Sequence, residues 1–142
     1  MKKYSKVILN LCLAIGLVIV FSTCASSKNN MTREEIENRA ILDSNIANMI
    51  SGENQAILII PGGSCILRSI NGSRIFWGAT MKTTYYKIPS GDLRIRIDPY
   101  NSSLSSFSST NVDFNATPGQ VYQINILGRQ LQFTDITQSI NP

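Results

Sequence analysis

"SCILRSINGSRIFW", residues 64–77, decides how the folded part of this chain is read. Two apolar runs flank Asn71-Gly72, the strongest short signal for a two-residue β-hairpin, because both turn positions can take a positive φ. Working outward, "QAILII" (55–60) is a continuous apolar run closed by Pro61-Gly62-Gly63, the pattern of a strand buried on both faces. On the other side, "TTYYKI" (83–88) and "DLRIRI" (92–97) flank Pro89-Ser90-Gly91, with Leu93, Ile95 and Ile97 directed inward and Arg94, Arg96 and Asp98 directed to water. "NVDFNA" (111–116) sets Val112, Phe114 and Ala116 on one face, and Pro118-Gly119 turns the chain. "VYQINIL" (121–127), Gly128 and "LQFTDI" (131–136) then complete the series. This spacing predicts a mainly β fold: a small antiparallel β-sandwich of about seven to eight strands over residues 55–138, with "NSSLSSFSST" (101–110) as its longest loop.

Ahead of the strands, Thr32-Arg33-Glu34-Glu35 matches the S/T-x-x-E capping box, in which the Thr32 hydroxyl and the Glu35 carboxylate each satisfy a backbone amide of the other. Ile36, Ala40, Ala47 and Ile50 keep approximate helical spacing as far as Gly52, although Asp43 interrupts the stripe. One helix over 32–51 is expected, packed loosely on the body or serving as a stalk, with a partner-binding face as its functional alternative.

At the N-terminus, Lys2, Lys3 and Lys6 precede an apolar run of fifteen residues, Val7 to Phe21, which also contains Asn10. A spanning helix needs about 20 apolar residues, so the run reads as an export signal. Phe21-Ser22-Thr23-Cys24 resembles a bacterial lipobox, with Phe21 and Thr23 departing from the residues usual at their positions. The resemblance implies a signal peptide over 1–23, removed before Cys24, a diacylglyceryl thioether on Cys24, and a polar tether over 24–31. Two acyl chains at about 0.8 kcal/mol per buried CH₂ suffice for stable anchoring. Ordinary cleavage after Ala25 and an uncleaved short anchor are the alternatives. The implied location is a bacterial cell membrane or outer membrane, with the domain facing the periplasm or the cell surface.

Composition narrows the chemistry. The chain has no histidine, which excludes a histidine-based triad and a His-containing zinc site, and no metal or cofactor is expected. Of three cysteines, Cys12 would leave with the signal and Cys24 would be a thioether. Cys65 then stands alone as a small buried apolar residue, or alternatively as a reactive thiol or an intermolecular bridge. Removal of Lys2, Lys3 and Lys6 takes thirteen basic residues to ten against nine acids, so the formal +4 becomes about +1, with no electrostatic footprint for nucleic acid.

"INGSRIFWGATMKTTYYKIPSGDLRIRI" resembles the PEGA-type and related transthyretin-like modules of exported bacterial proteins: Asn71-Gly72, Gly78 and Pro89-Ser90-Gly91 fall in the order of their turns, although the usual Thr-Pro after the second glycine is absent. The likeness covers roughly residues 64–127, rests on turn chemistry, and implies a β-sandwich without catalytic residues, used for binding or scaffolding.

Asp92, Asp98, Asp113 and Asp135 lack the spacing of paired catalytic carboxylates or of a calcium loop and read as solvated positions. Arg94 and Arg96, with Arg68, Arg74, Lys82 and Lys87, are the candidate ligand surface for anionic glycan or lipid groups or an envelope protein, the alternative being a solvated face. Trp77, Tyr85, Tyr86 and Tyr100 read as core in preference to a sugar-stacking platform. A lipid-anchored binding or structural module follows. A histidine-free hydrolase with a nucleophile at Ser64, Ser90 or Lys87 is the alternative.

Overall fold

The computed structural model describes residues 31–76, 81–100 and 108–142. The signal segment, Cys24, most of the tether, Trp77 and residues 101–107 of the serine-rich loop lie outside the described residues.

The described residues form eight strands: β1 (Gln55–Ile60), β2 (Cys65–Ile70), β3 (Ser73–Arg74), β4 (Thr84–Pro89), β5 (Gly91–Pro99), β6 (Thr110–Ala116), β7 (Val121–Leu127) and β8 (Gln130–Asp135). They make two four-stranded sheets, ordered β4-β1-β7-β8 and β3-β2-β5-β6. The fold is therefore mainly β and sandwich-like, as the alternation predicts. The hairpin at Asn71-Gly72 forms with φ of 49° and 84°, the doubly positive pair of a type I′ turn, and sets Ile70 opposite Ser73. Its second arm is shorter than "SRIFW" suggests. After the Ile75 amide bonds the Arg68 carbonyl, the Phe76 amide turns away to the Asp43 carboxylate, and the Phe76 ring is exposed.

Two features differ from the sequence reading. The sandwich is not wholly antiparallel: β1 runs parallel to β7, with Ile57 opposite Val121 and Ile59 opposite Gln123. The Pro118-Gly119 turn explains this. It carries the chain from β6 in one sheet to β7 in the other, and the Gly119 amide bonding Gln55 and the Ile57 amide bonding Gln120 enter β7 beside the start of β1. Pro89-Ser90-Gly91 likewise joins edge strand β4 of one sheet to β5 of the other and is not a hairpin.

The expected helix over 32–51 is the second correction. The capping box is present, with Glu35 N donating to Thr32 Oγ1 at 3.3 Å and Thr32 N to Glu35 Oε2 at 2.9 Å, but the helix, α1, spans Arg33–Arg39 only. At Ile41 the backbone turns extended and pairs with β4, its amide bonding the Tyr85 carbonyl and its carbonyl accepting from the Lys87 amide, both at 2.8 Å. That contact covers the β4 edge, a better use of these polar groups than another helical turn. A single 3₁₀ turn, Ala47–Met49, is all that forms near the expected C-terminal half.

Burial sorts the residues into two clusters. Between the sheets lie Leu58, Leu67, Leu93, Ile95, Ile97 and Ile124 with their neighbours. On the other face of β1, Ile57 and Ile59 pack with Val121, Tyr85 and Ile36 of α1, joined by Met31, Ala40, Ile136 and Ile140. The run "QAILII" is thus buried on both faces, and α1 is a third layer held to the body by the Arg33 amide on the Asn141 carbonyl. It is neither a stalk nor a loose appendage. Among the described residues no helix is long and apolar enough to cross a membrane.

Candidate functional site

The outer face of the β3-β2-β5-β6 sheet carries the arginines singled out by the sequence. Alternation along β5 buries Leu93, Ile95 and Ile97 and exposes Asp92, Arg94 and Arg96. Register then supplies the neighbours. Arg96 stands opposite Ser69 of β2, which stands opposite Arg74 of β3, while on the other side Arg96 faces Asn111 of β6. Arg94 faces Asp113, and Asp92 accepts at 2.6 Å from the Asn115 amide across the ladder. An irregularity between Leu67 and Ser69 turns Arg68 outward, where its Nε donates to Asp98 Oδ2 at 2.7 Å. Arg96 Nε lies 3.7 Å from Asp98 Oδ1.

The face is therefore mixed in charge. Arg68, Arg74, Arg94 and Arg96 alternate with Asp92, Asp98 and Asp113, and among the described residues the guanidinium of Arg94 makes no ion pair. The remaining members of the expected basic surface are elsewhere: Lys87 lies on β4 and Lys82 just before it, in the other sheet's part of the chain. Tyr85 and Tyr86 are buried, as a core reading expects, and Tyr100 is exposed immediately after β5.

Asp98 is the electrostatic centre of the face. Burial pushes its carboxyl up, but the hydrogen bond from Arg68, the contact with Ser109 and the charges of Arg68 and Arg96 outweigh this and hold it below the ordinary carboxylate range. A carboxyl depressed in the folded state stabilises the fold above its unfolded pKa, and that contribution is lost as pH falls through the folded value. Asp98→Asn should therefore cost about 0.5–1 kcal/mol at neutral pH, shrinking below about pH 4 and vanishing once Asp98 is protonated in both states. Urea unfolding of both proteins at pH 7 and in acid checks this. A cost independent of pH would contradict it.

The candidate nucleophiles do not converge. Ser64 follows the end of β1 and donates at 2.6 Å to the Pro61 carbonyl, whereas Ser90 follows Pro89, which pairs with Gln55 at the start of β1. The two hydroxyls thus sit at opposite ends of a strand roughly 17 Å long. Cys65 is buried and free, its thiol pushed up by burial against the lowering effect of Ser64, the state of an inert packing residue.

Lys87 instead borders a groove of about 510 Å³ that the sequence did not reveal, lined also by Arg33, Glu37, Glu53, Gln55 and Gly119. Arg33 spans it, its Nε bonding Glu37 and its Nη2 the Gly119 carbonyl, both at 2.8 Å. The i,i+4 spacing of Arg33 and Glu37 is a local signal that could have marked one side of the groove, but Gly119 lies 86 residues along the chain from Arg33 and joins it only through the fold. Among the described residues no group of three His, Cys, Asp or Glu could hold a metal ion. Compared with family models, with curated proteins and with solved structures, the chain finds no match.

Proposed function

We propose that this chain is a lipid-anchored protein of the bacterial cell envelope, held to the membrane by a diacylglyceryl thioether on Cys24, with its sandwich acting as a binding or structural module. The order of basic residues, short apolar run and Phe21-Ser22-Thr23-Cys24 supports the anchor, and the order of the turns at Asn71-Gly72 and Pro89-Ser90-Gly91 supports the likeness to PEGA-type modules. The observation that carries the binding role is the outward row of Arg94 and Arg96, in which Arg94 keeps its guanidinium out of any ion pair among the described residues. A planar guanidinium fork on a rigid strand suits bidentate capture of an anionic envelope group, a phosphate or carboxylate of a glycan, a lipid or a protein partner. Nucleic acid fits poorly, because three carboxylates interleave with the four arginines.

Mass spectrometry of the mature protein should find the N-terminus at Cys24 with lipid attached; an unmodified thiol or an N-terminus at Ser26 would reject the anchor. In binding titrations with isolated peptidoglycan, phosphatidylglycerol vesicles and envelope extract, Arg94→Ala with Arg96→Ala should weaken capture roughly tenfold or more, the loss of two charge-assisted contacts. Unchanged binding rejects this surface, and a hydrolytic activity abolished by changing Ser64, Ser90 or Lys87 would replace the reading with an enzyme.

A further inference from the structure

Four strand edges bound the two sheets, and the chain treats them differently. The β4 edge is covered by Ile41, and β3 is only two residues long. β6 carries Asp113 at its middle, so that pairing of β6 with a copy of itself about that residue would set two carboxylates against each other. β8, "QLQFTD", is six residues long, uncharged until its last position, free of proline and lysine, and unpaired on its outer side among the described residues. It lacks the usual devices that discourage edge-to-edge association.

We propose that β8 is a self-association edge, pairing antiparallel with β8 of a second copy of this chain to join the two β4-β1-β7-β8 sheets into one. The register follows from the ladder. The Ile136 amide bonds the Val121 carbonyl at 2.9 Å, continuing the β7–β8 pairs, so Gln130, Gln132 and Thr134 turn their main-chain groups toward β7 and Leu131, Phe133 and Asp135 turn theirs outward. A two-fold axis normal to the sheet keeps each side chain on its own face, which restricts the register to pairs of equal parity.

Centred on Gln132, that axis sets Leu131 against Phe133 of the second copy and Gln130 against Thr134 of the second copy, with about four main-chain hydrogen bonds from Leu131 and Phe133. Apolar meets apolar on the inner side and polar meets polar on the outer. The same axis sets Arg129, exposed and without an ion pair among the described residues, against Asp135 of the second copy. Asp135 uses Oδ1 for the Thr137 amide and hydroxyl, leaving Oδ2 for the guanidinium. Centred one residue later, the axis would oppose Leu131 to a carboxylate. Phe133 already stacks on Phe114, with centroids 4.4 Å apart and an interplanar angle of 18°, so Leu131 of the second copy extends an existing apolar row.

Sedimentation equilibrium of the full chain in mild detergent tests the proposal. The wild type should show a monomer–dimer equilibrium, with the Leu131 and Phe133 amides protected from hydrogen exchange at high concentration. Gln132→Lys places two ammonium groups face to face on a solvent-directed position, and Arg129→Glu or Asp135→Lys opposes like charges at both ends. Each should weaken dimerisation roughly tenfold or more. Mixing Arg129→Glu with Asp135→Lys should restore association, because the new carboxylate of one copy meets the new ammonium of the other while the native pair is retained at the opposite end. Local damage around Thr137 could not produce that rescue. A monomer at every concentration, a dimer indifferent to Gln132→Lys, failure of the mixture to associate, or amide protection that appears only on adding a foreign peptide strand would each overturn self-pairing through β8.

Discussion

Leu58→Ala should destabilise the domain by about 3–4 kcal/mol, the cost of lost transfer energy together with an unrelaxed cavity. Leu58 is fully buried at the centre of β1, hydrogen-bonded on one side to β4 and on the other to β7, and its side chain enters the inter-sheet cluster. Strands on both sides fix the β1 backbone, and the facing sheet presents Leu67, Leu93 and Ile95, branched side chains with few other rotamers. The site therefore cannot collapse around the missing atoms. Of a total stability on the order of 5–15 kcal/mol this is a large fraction, and a domain of this size should melt about 15 °C lower. Ile57→Ala, one residue away on the opposite face, should cost less, about 2 kcal/mol, because its cover is a seven-residue helix and terminal segments that can settle onto the gap. Urea unfolding of both variants decides the matter. Equal small losses, under about 1 kcal/mol, would mean that β1 does not separate two packed layers.

That two-sided burial was legible in "QAILII", as were the Asn71-Gly72 hairpin and the inward and outward alternation of β5, because each is a local pattern whose period or turn chemistry decides it. Sheet membership was not legible. Pro89-Ser90-Gly91 and Pro118-Gly119 have the composition of hairpin turns, yet both carry the chain between sheets, and a glycine with φ of 97° or 75° looks the same in either use. The parallel β1–β7 pair follows from those crossings, a long-range fact absent from any short window. The candidate surface divides in the same way. Alternation places Arg94 and Arg96 outward, but their partners Asp113 and Asn111 come from β6 and Arg74 from β3, through registers set by the whole sheet. The groove at Lys87 needed Arg33 and Gly119, which meet only in the folded chain.

Asp43→Ala should cost about 3 kcal/mol, and here the sign matters as much as the size. In a helix over 32–51, Asp43 would interrupt the apolar stripe, and alanine, the better helix former, would stabilise by about 0.5 kcal/mol. In the fold observed, Asp43 is almost completely buried, with Oδ1 accepting from the Asn45 amide at 2.9 Å and Oδ2 from the Phe76 amide at 2.8 Å. The carboxylate thus fixes the turn after Ile41 and ties it to the chain leaving β3, assisted by Asn45 Nδ2 on the Arg74 carbonyl. Alanine would leave two amide donors without their acceptor at about 1–3 kcal/mol each, lessened where water reaches them. Asp43→Asn keeps the shape but offers only one acceptor oxygen, turning its NH₂ toward a second donor, and should recover little. The charge also acts on Tyr86, whose phenol is pushed up to about 12 by burial first and then by Asp43 and Cys65. Asp43→Asn should lower that value while burial keeps it above 10, an NMR titration independent of the unfolding measurement. A buried carboxylate bonded to amides 2 and 33 residues onward holds the turn that follows the Ile41–β4 contact, because the Phe76 amide it satisfies lies on a segment that no continued helix from α1 would supply with an acceptor.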